Sequence, residues 1–194
     1  MDMRLPSAWN ESSAGCLEMV LRNEANRLSR MHRLPDNISA WKEKKEILSR
    51  KIWTSIGIKV DHSLPLDCRE YGTVQRNGYL IRKISYQGRK NVHVTATLHI
   101  PEGNGPFPAV IVMHGHWMEG KLAENVQILC DLLARNGYVC LAVDAFGAGE
   151  RGTIHGEFEY HGGPLGASLM NLGETLMGCQ IADNMRGVDL LCSL

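Results

Sequence analysis

Apolar residues recur at helical spacing near the start of the chain. In EMVLRNEANRLSRMHRL, Met19, Leu21, Leu28, Met31 and Leu34 return at roughly helical steps until Pro35 breaks the pattern. ISAWKEKKEILSRKIWTSIG then gathers Trp41, Ile47, Leu48, Ile52 and Trp53 toward one side, with lysines and glutamates elsewhere, and Gly57 ends it. The two segments predict a helical cap on a core that the later chain supplies.

From Tyr71 the period shortens to two. VHVTATLHI places Val92, Val94, Ala96, Leu98 and Ile100 on one face and His93, Thr95, Thr97 and His99 on the other, which predicts a half-buried strand with both histidines facing solvent. GYLIRKISYQ, followed by the turn GRKN, is its antiparallel partner. PEGNGPFP leads into AVIVMHG, an apolar run of the length of a buried parallel strand. A helix from Leu122 to Arg135 follows, with Val126, Leu129 and Leu133 inward, and Asn136-Gly137 stops it before the strand YVCLAVD. Strand, helix and strand in this order form a βαβ unit with a parallel sheet. After Asp144 comes the glycine-rich stretch GAGERGTIHGEFEYHGGPLGAS, and a helix resumes from Glu174 to Leu191 with Met177, Ile181, Met185, Val188 and Leu191 as its apolar stripe.

Composition narrows the classes. The 194 residues are 44% hydrophobic, and 21 basic residues balance 21 acidic ones, so no basic footprint recommends nucleic acid as a partner. No run approaches the roughly 18 apolar residues of a membrane span, and MDMRLPSAWNESSAGCLEMV lacks the apolar centre of a signal peptide. The expected location is the cytoplasm, with secretion left open if the N-terminus is incomplete. Six cysteines without a C-x-x-C pair predict buried free thiols, neither a disulfide framework nor a zinc knuckle.

Two stretches carry candidate chemistry. In VDAFGAGERG, Gly147, Gly149 and Gly152 spell G-x-G-x-x-G after a strand, but a dinucleotide turn opens directly into a helix whose amides hold pyrophosphate. Here TIHGEFEYHGGPLG follows, and Asp144 and Glu150 put negative charge where phosphate would sit, so no cofactor is expected. The second stretch, MHGHW at residues 113–117, ends one strand and leads toward a helix. His114 and His116 there read as loop packing, as part of an oxyanion loop, or as two ligands of a metallohydrolase completed by Glu119, His155 or His161. Two histidines alone do not make a zinc site, so no metal is assigned. Asp183 and Arg186 at i,i+3 predict a solvated or loop-anchoring ion pair, and Glu150-Arg151 reads as turn chemistry.

GTVQRNGYLIRKISYQ, VTATLHIPEG, PAVIVMHGH, VDAFGAGERG and LGETLMGCQIADNMRGVDLL, in this order, resemble the N-terminal half of α/β-hydrolases of the acetyl xylan esterase and dienelactone hydrolase-like group. The resemblance runs from about Tyr71 to Leu194. It implies an α/β chain in which residues 1–69 are a helical extension and 70–194 are part of an α/β-hydrolase fold, an antiparallel hairpin leading into a parallel βαβ sheet. It implies an oxyanion loop at His114, Gly115, His116 and Trp117, with the backbone N–H of His116 or Trp117 as donor, and Asp144, Glu150 and Arg151 on substrate-facing loops. The activity it implies is serine-type hydrolysis of a small-molecule ester without a cofactor, an acylated carbohydrate being the family-level expectation, with no nucleic acid or membrane partner.

The departure from the family is the missing G-x-S-x-G: the nearest stretch, GASLM at 166–170, ends in methionine and follows no strand. The expectation is therefore a truncated or partial product, inactive alone, whose nucleophile, acid and base lie beyond Leu194. The family's strand order would then leave AVIVMHG as an apolar edge open to self-association. A non-catalytic α/β binding module is the competing reading.

Overall fold

The computed structural model describes residues 15–152 and 163–194. The chain divides into two units between Arg50 and Lys51. In the first lie α1 (Cys16–Met31) and most of α2 (Ile38–Ser55), the two helices that the apolar spacing predicts. Glu18 and Arg22 pair one turn apart on α1 at 2.6 Å, and the Asn37 side chain caps α2 by accepting from Ala40 N–H at 2.9 Å. No residue of either helix is buried.

The second unit is built on one five-stranded sheet: β1 (Arg69–Arg76), β2 (Tyr79–Arg89), β3 (Val92–Pro101), β4 (Ala109–Met113) and β5 (Val139–Val143), in the order β1-β2-β3-β5-β4. β1, β2, β3 and β5 pair antiparallel in turn, and β4 pairs parallel with β5 through the crossover helix α3 (Glu124–Arg135). α4 (Pro164–Asn171) and α5 (Leu176–Cys192) follow. The hairpin and the βαβ unit stand where the hydrophobic pattern puts them. β1 and α4 are not among the expected elements: seven of the eight β1 residues are exposed, so no alternation marks that strand, and α4 begins within the stretch read as glycine-rich and runs three residues past it.

Both faces of the sheet are covered. On one, Ile84, Tyr86, Val94, Leu98, Leu141 and Val143 pack with Leu190 of α5; on the other, Val112, Cys140 and Ala142 pack with Val126 and Cys130 of α3. The inward face of α3 is Val126, Cys130 and Ala134, with Leu133 at its margin, whereas Leu129 is exposed. The inward face of α5 is also shifted from the predicted stripe. Leu176, Cys179, Ala182, Asp183, Arg186, Gly187 and Leu190 are buried, while Met177 and Val188 are exposed. Close approach explains the shift: a Cβ on Gly178 would lie 2.0 Å from the Ile56 carbonyl oxygen, and one on Gly187 would lie 2.8 Å from the Tyr86 hydroxyl. An apolar-periodicity rule does not count glycines or charged residues as inward. Of the six thiols, Cys130, Cys140 and Cys179 are buried as expected, and Cys16, Cys68 and Cys192 are exposed. No helix among the described residues is long and apolar enough to cross a membrane.

His99 corrects the reading of β3. It is 1% exposed because β3 is an interior strand, and its ring stacks on Tyr79 with centroids 5.8 Å apart. Burial pushes its pKa down to about 4, with Arg76 adding to the shift and Asp131 opposing it. The imidazole is therefore neutral when folded, and the unfolded chain binds the extra proton between about pH 6.5 and 4. The stabilisation from His99 is complete above pH 6.5 and declines as pH falls toward 4, by up to about 3 kcal/mol. Denaturant titrations at several pH values are expected to show this decline in the wild type and a shallower one in His99→Gln.

Candidate active site

β4 and β5 are parallel and in register, Met113 opposite Val143, so the turns that follow them emerge at the same end of the sheet. Ligands of open α/β sheets bind outside the carboxyl ends of such strands. The turn after β4 carries His114 to Trp117. Ala145 N–H donates to His114 Nε2 at 3.0 Å, so this nitrogen is the acceptor, and the proton assigned to Nδ1 is donated to the Gly115 carbonyl at 2.7 Å. The Trp117 N–H donates to the same carbonyl at 3.0 Å. A Cβ on Gly115 would sit 2.8 Å from the far end of the Trp117 indole, so a side chain there would have to push that exposed ring aside. His116 and Trp117 are exposed, and His114 is half-buried as a tie between the two turns.

The turn after β5 is organised by Asp144, which is 1% exposed. Its carboxylate accepts from Lys121 N–H at 2.9 Å, from the Thr95 hydroxyl at 2.7 Å and from the Lys121 ammonium, which also pairs with Glu150. Lys121 is itself 4% exposed and lies in a 3₁₀ turn, Gly120–Leu122, ahead of α3. Gly120 and Gly149 both have φ of 56°, and a Cβ on either would come within 2.4 Å of Asp144 Oδ1. The glycine-rich run thus wraps a carboxylate. That is its physical difference from a phosphate-binding turn, which directs backbone amides at an external anion.

Arg151 continues the network inward. Its guanidinium donates to the Asp144 carbonyl at 3.1 Å, pairs with Asp183 of α5 at 2.9 Å and lies 5.0 Å over the Phe146 ring, against which Arg89 also packs at 5.4 Å. Burial raises the Asp183 pKa, with the Arg151 and Arg89 charges opposing the rise. Asp183 is therefore neither solvated nor the partner of Arg186. Arg186 is buried, donates to the His62 and Leu64 carbonyls and pairs with Asp189, the next acidic residue at i+3 spacing.

Of the three substrate-loop candidates, Glu150 alone reaches open space. With Lys121, Tyr71, Lys83, Thr95 and Thr97 it lines a cavity of about 550 Å³. Asp144 and Arg151 are turned into the network. Lys121, which joins Asp144 to Glu150, had no signal in its local sequence, since an isolated lysine reads as surface. Among the described residues no group of three or more His, Cys, Asp or Glu side chains could hold a metal ion, and both His114 ring nitrogens are spent on backbone partners. His155 and His161 lie outside the described residues. Ser168 sits in α4 and donates to the Pro164 carbonyl at 2.7 Å, which is helix geometry rather than a strand-to-helix elbow.

Removing one member of a buried pair leaves the other uncompensated. Asp144→Ala is expected to destabilise the protein by about 3–5 kcal/mol, and Lys121→Met in the same background to recover part of the loss. Chemical denaturation of the single and double variants measures both.

No family model and no curated protein sequence matches the chain. Solved structures do. A provisionally named acetyl xylan esterase from Bacteroides fragilis aligns over 97% of this chain and 53% of its own, at 19% identity and a TM-score of 0.67. Acetyl xylan esterases from Paenibacillus sp. and Thermoanaerobacterium sp. align over 68% and 66% of this chain and 43% and 40% of their own, at 22% and 16% identity and a TM-score of 0.49 each. The chain spans about half the length of the Bacteroides structure. At these identities the likeness is one of fold, and with the antiparallel hairpin and the β4–α3–β5 crossover it identifies the architecture as part of an α/β-hydrolase fold.

Proposed function

We propose that this fold serves serine-type hydrolysis of a carboxylic ester, and that the chain contributes the oxyanion loop and the walls of the site. The observation that carries the reading is the tight glycine turn at the carboxyl end of β4, tied by His114 to the turn after β5. A backbone N–H at such a position serves an oxyanion better than a mobile side chain does, because it is oriented before charge develops. The donor is the amide of His116 or of Trp117, and the latter must first leave the Gly115 carbonyl. The likeness to a Bacteroides structure named for acetyl xylan esterase activity supports a small-molecule ester as substrate, and an acetylated sugar within that class.

No G-x-S-x-G occurs in the 194 residues. The chain by itself is therefore expected to show neither a burst with an aryl acetate nor serine labelling by a fluorophosphonate. Joined after Leu194 to the C-terminal portion of the Bacteroides protein, it is expected to gain serine-dependent turnover. Gly115→Val in that chimaera is expected to lower kcat by about 10²–10³ with little change in KM. Steady-state and burst kinetics measure each outcome. A burst from the chain alone that Ser168→Ala abolishes, or a chimaera indifferent to Gly115→Val, would refute the proposal.

A further inference from the structure

α3 does not cover the whole of its side of the sheet. Tyr79 and Ile81 of β2 pack against Ala134, near the end of that helix. Lys83 and Ser85 continue the same face of β2, and the register sets them opposite Thr97 and Thr95 of β3, so these four side chains share the face as well. Over this floor lies the cavity of about 550 Å³ that Glu150 reaches, a volume within the roughly 300–1,000 Å³ of small-molecule sites. Tyr71 of β1 walls it beyond β2, and Lys121, Leu122 and Glu150 wall it beyond β3, where Lys121 is bound to Asp144 at the end of β5. β5 separates the cavity from β4, so its walls are strands β1 to β3 and the turns beside them.

The cavity is hydroxylic and its charges cancel. Lys83 and Lys121 stand against Asp144 and Glu150, so no excess charge selects an ion. The Thr95 hydroxyl spends its proton on Asp144 and keeps lone pairs to accept with, while the Tyr71 and Ser85 hydroxyls share one bond at 3.0 Å and retain one proton to donate. Glu150 is half exposed and able to accept, and Lys83 makes no hydrogen bond or ion pair among the described residues, so its ammonium is free to donate. Beside these polar groups Tyr71 and Leu122 present apolar surface, at 61% and 58% exposure. A matching ligand carries hydroxyls that both donate and accept, an apolar face and no net charge. A pyranose ring has all three properties. Leu122 also lines a second cavity, of about 370 Å³, that reaches Arg76 of β1 and Gln127 of α3, so there is room for more than one ring along the helix.

We infer that this face of the sheet is a binding site for a neutral oligosaccharide. Tyr71 packs on the flat side of one ring, and Lys83, Glu150 and the threonine floor take its hydroxyls. The inference goes beyond the ester-hydrolysis reading and does not rest on it, since it uses neither the His114 turn nor a nucleophile.

Sugars without an ester test the site apart from hydrolysis. Amide chemical shifts of the 194-residue chain, followed by NMR during titration with cellotriose and with xylotriose, are expected to move saturably at Lys83, Thr95, Thr97 and Leu122 for at least one of the two. Sorbitol, which has hydroxyls but no ring, is expected to leave them in place. Tyr71→Ala and Lys83→Met alter exposed side chains, and each is expected to weaken sugar binding about tenfold. Leu172→Ala, exposed and outside the cavity, is expected to leave it unchanged. Circular dichroism melting checks that all three variants are folded. No saturable shift with either sugar, shifts centred elsewhere, equal binding of sorbitol, tighter binding of anionic trigalacturonate, or sugar binding that Tyr71→Ala and Lys83→Met both leave intact would overturn the inference.

Discussion

The end of the sheet where the candidate site lies depends on a buried carboxylate. Asp144 is withdrawn from water at the tip of β5, and an ionised carboxyl there is tolerable only with charge and hydrogen bonds brought to it. The chain supplies them from three places: the Thr95 hydroxyl on β3, the Lys121 amide and ammonium after β4, and the Glu150 amide in the following turn at 3.4 Å. Segments separated by dozens of residues are thereby held at one point. Gly120 and Gly149 follow from this constraint, since any side chain at either would occupy the space of the carboxylate oxygen.

A second buried charge extends the same logic across the sheet. Arg151 joins the Asp144 carbonyl to Asp183 on α5, and the guanidinium groups of Arg151 and Arg89 both pack against the Phe146 ring. Arg89 in turn holds Glu174, just ahead of α5, at 2.9 Å, while Thr175 caps that helix by accepting from Gly178 N–H. The turn after β5, the last residue of β2 and the start of α5 are thus one electrostatic assembly. Low local dielectric strengthens each contact and makes the loss of any one costly.

Much of the frame was legible in the sequence because it follows hydrophobic periodicity. β3 alternates, β4 and β5 are short apolar runs bounded by turn residues, and α3 ends at Asn136-Gly137. The misplaced polar residues share one physical cause. His99, Asp183, Arg186 and Lys121 are polar residues in the interior, and a rule that reads polarity as exposure places each of them outside. The phase of α5 was misread for this reason: glycines let the helix approach closely and charged residues occupy its inner face, so the apolar stripe points elsewhere. At this end of the sheet, the sequence marked where the two turns fall but not the direction of every side chain in them. Asp144 and Arg151 turn inward, and no local pattern announced Lys121 as the partner of Asp144 or Asp183 as that of Arg151.

The two turns of the candidate site differ in how they are restrained, and the difference bears on what each can do. The turn after β5 is pinned by buried charge on several sides, so its backbone has little freedom. The His114–Trp117 turn is held by short hydrogen bonds at a partly exposed rim, with His114 as its bond to the rigid neighbour. An amide in that position can be oriented by the scaffold yet released from the Gly115 carbonyl when a better acceptor arrives. A negatively charged oxygen is such an acceptor, because hydrogen bonds to an ionised group are about twice as strong as those to a neutral carbonyl. On the oxyanion role proposed above, the turn after β5 sets where the amides of the His114–Trp117 turn would lie as negative charge develops.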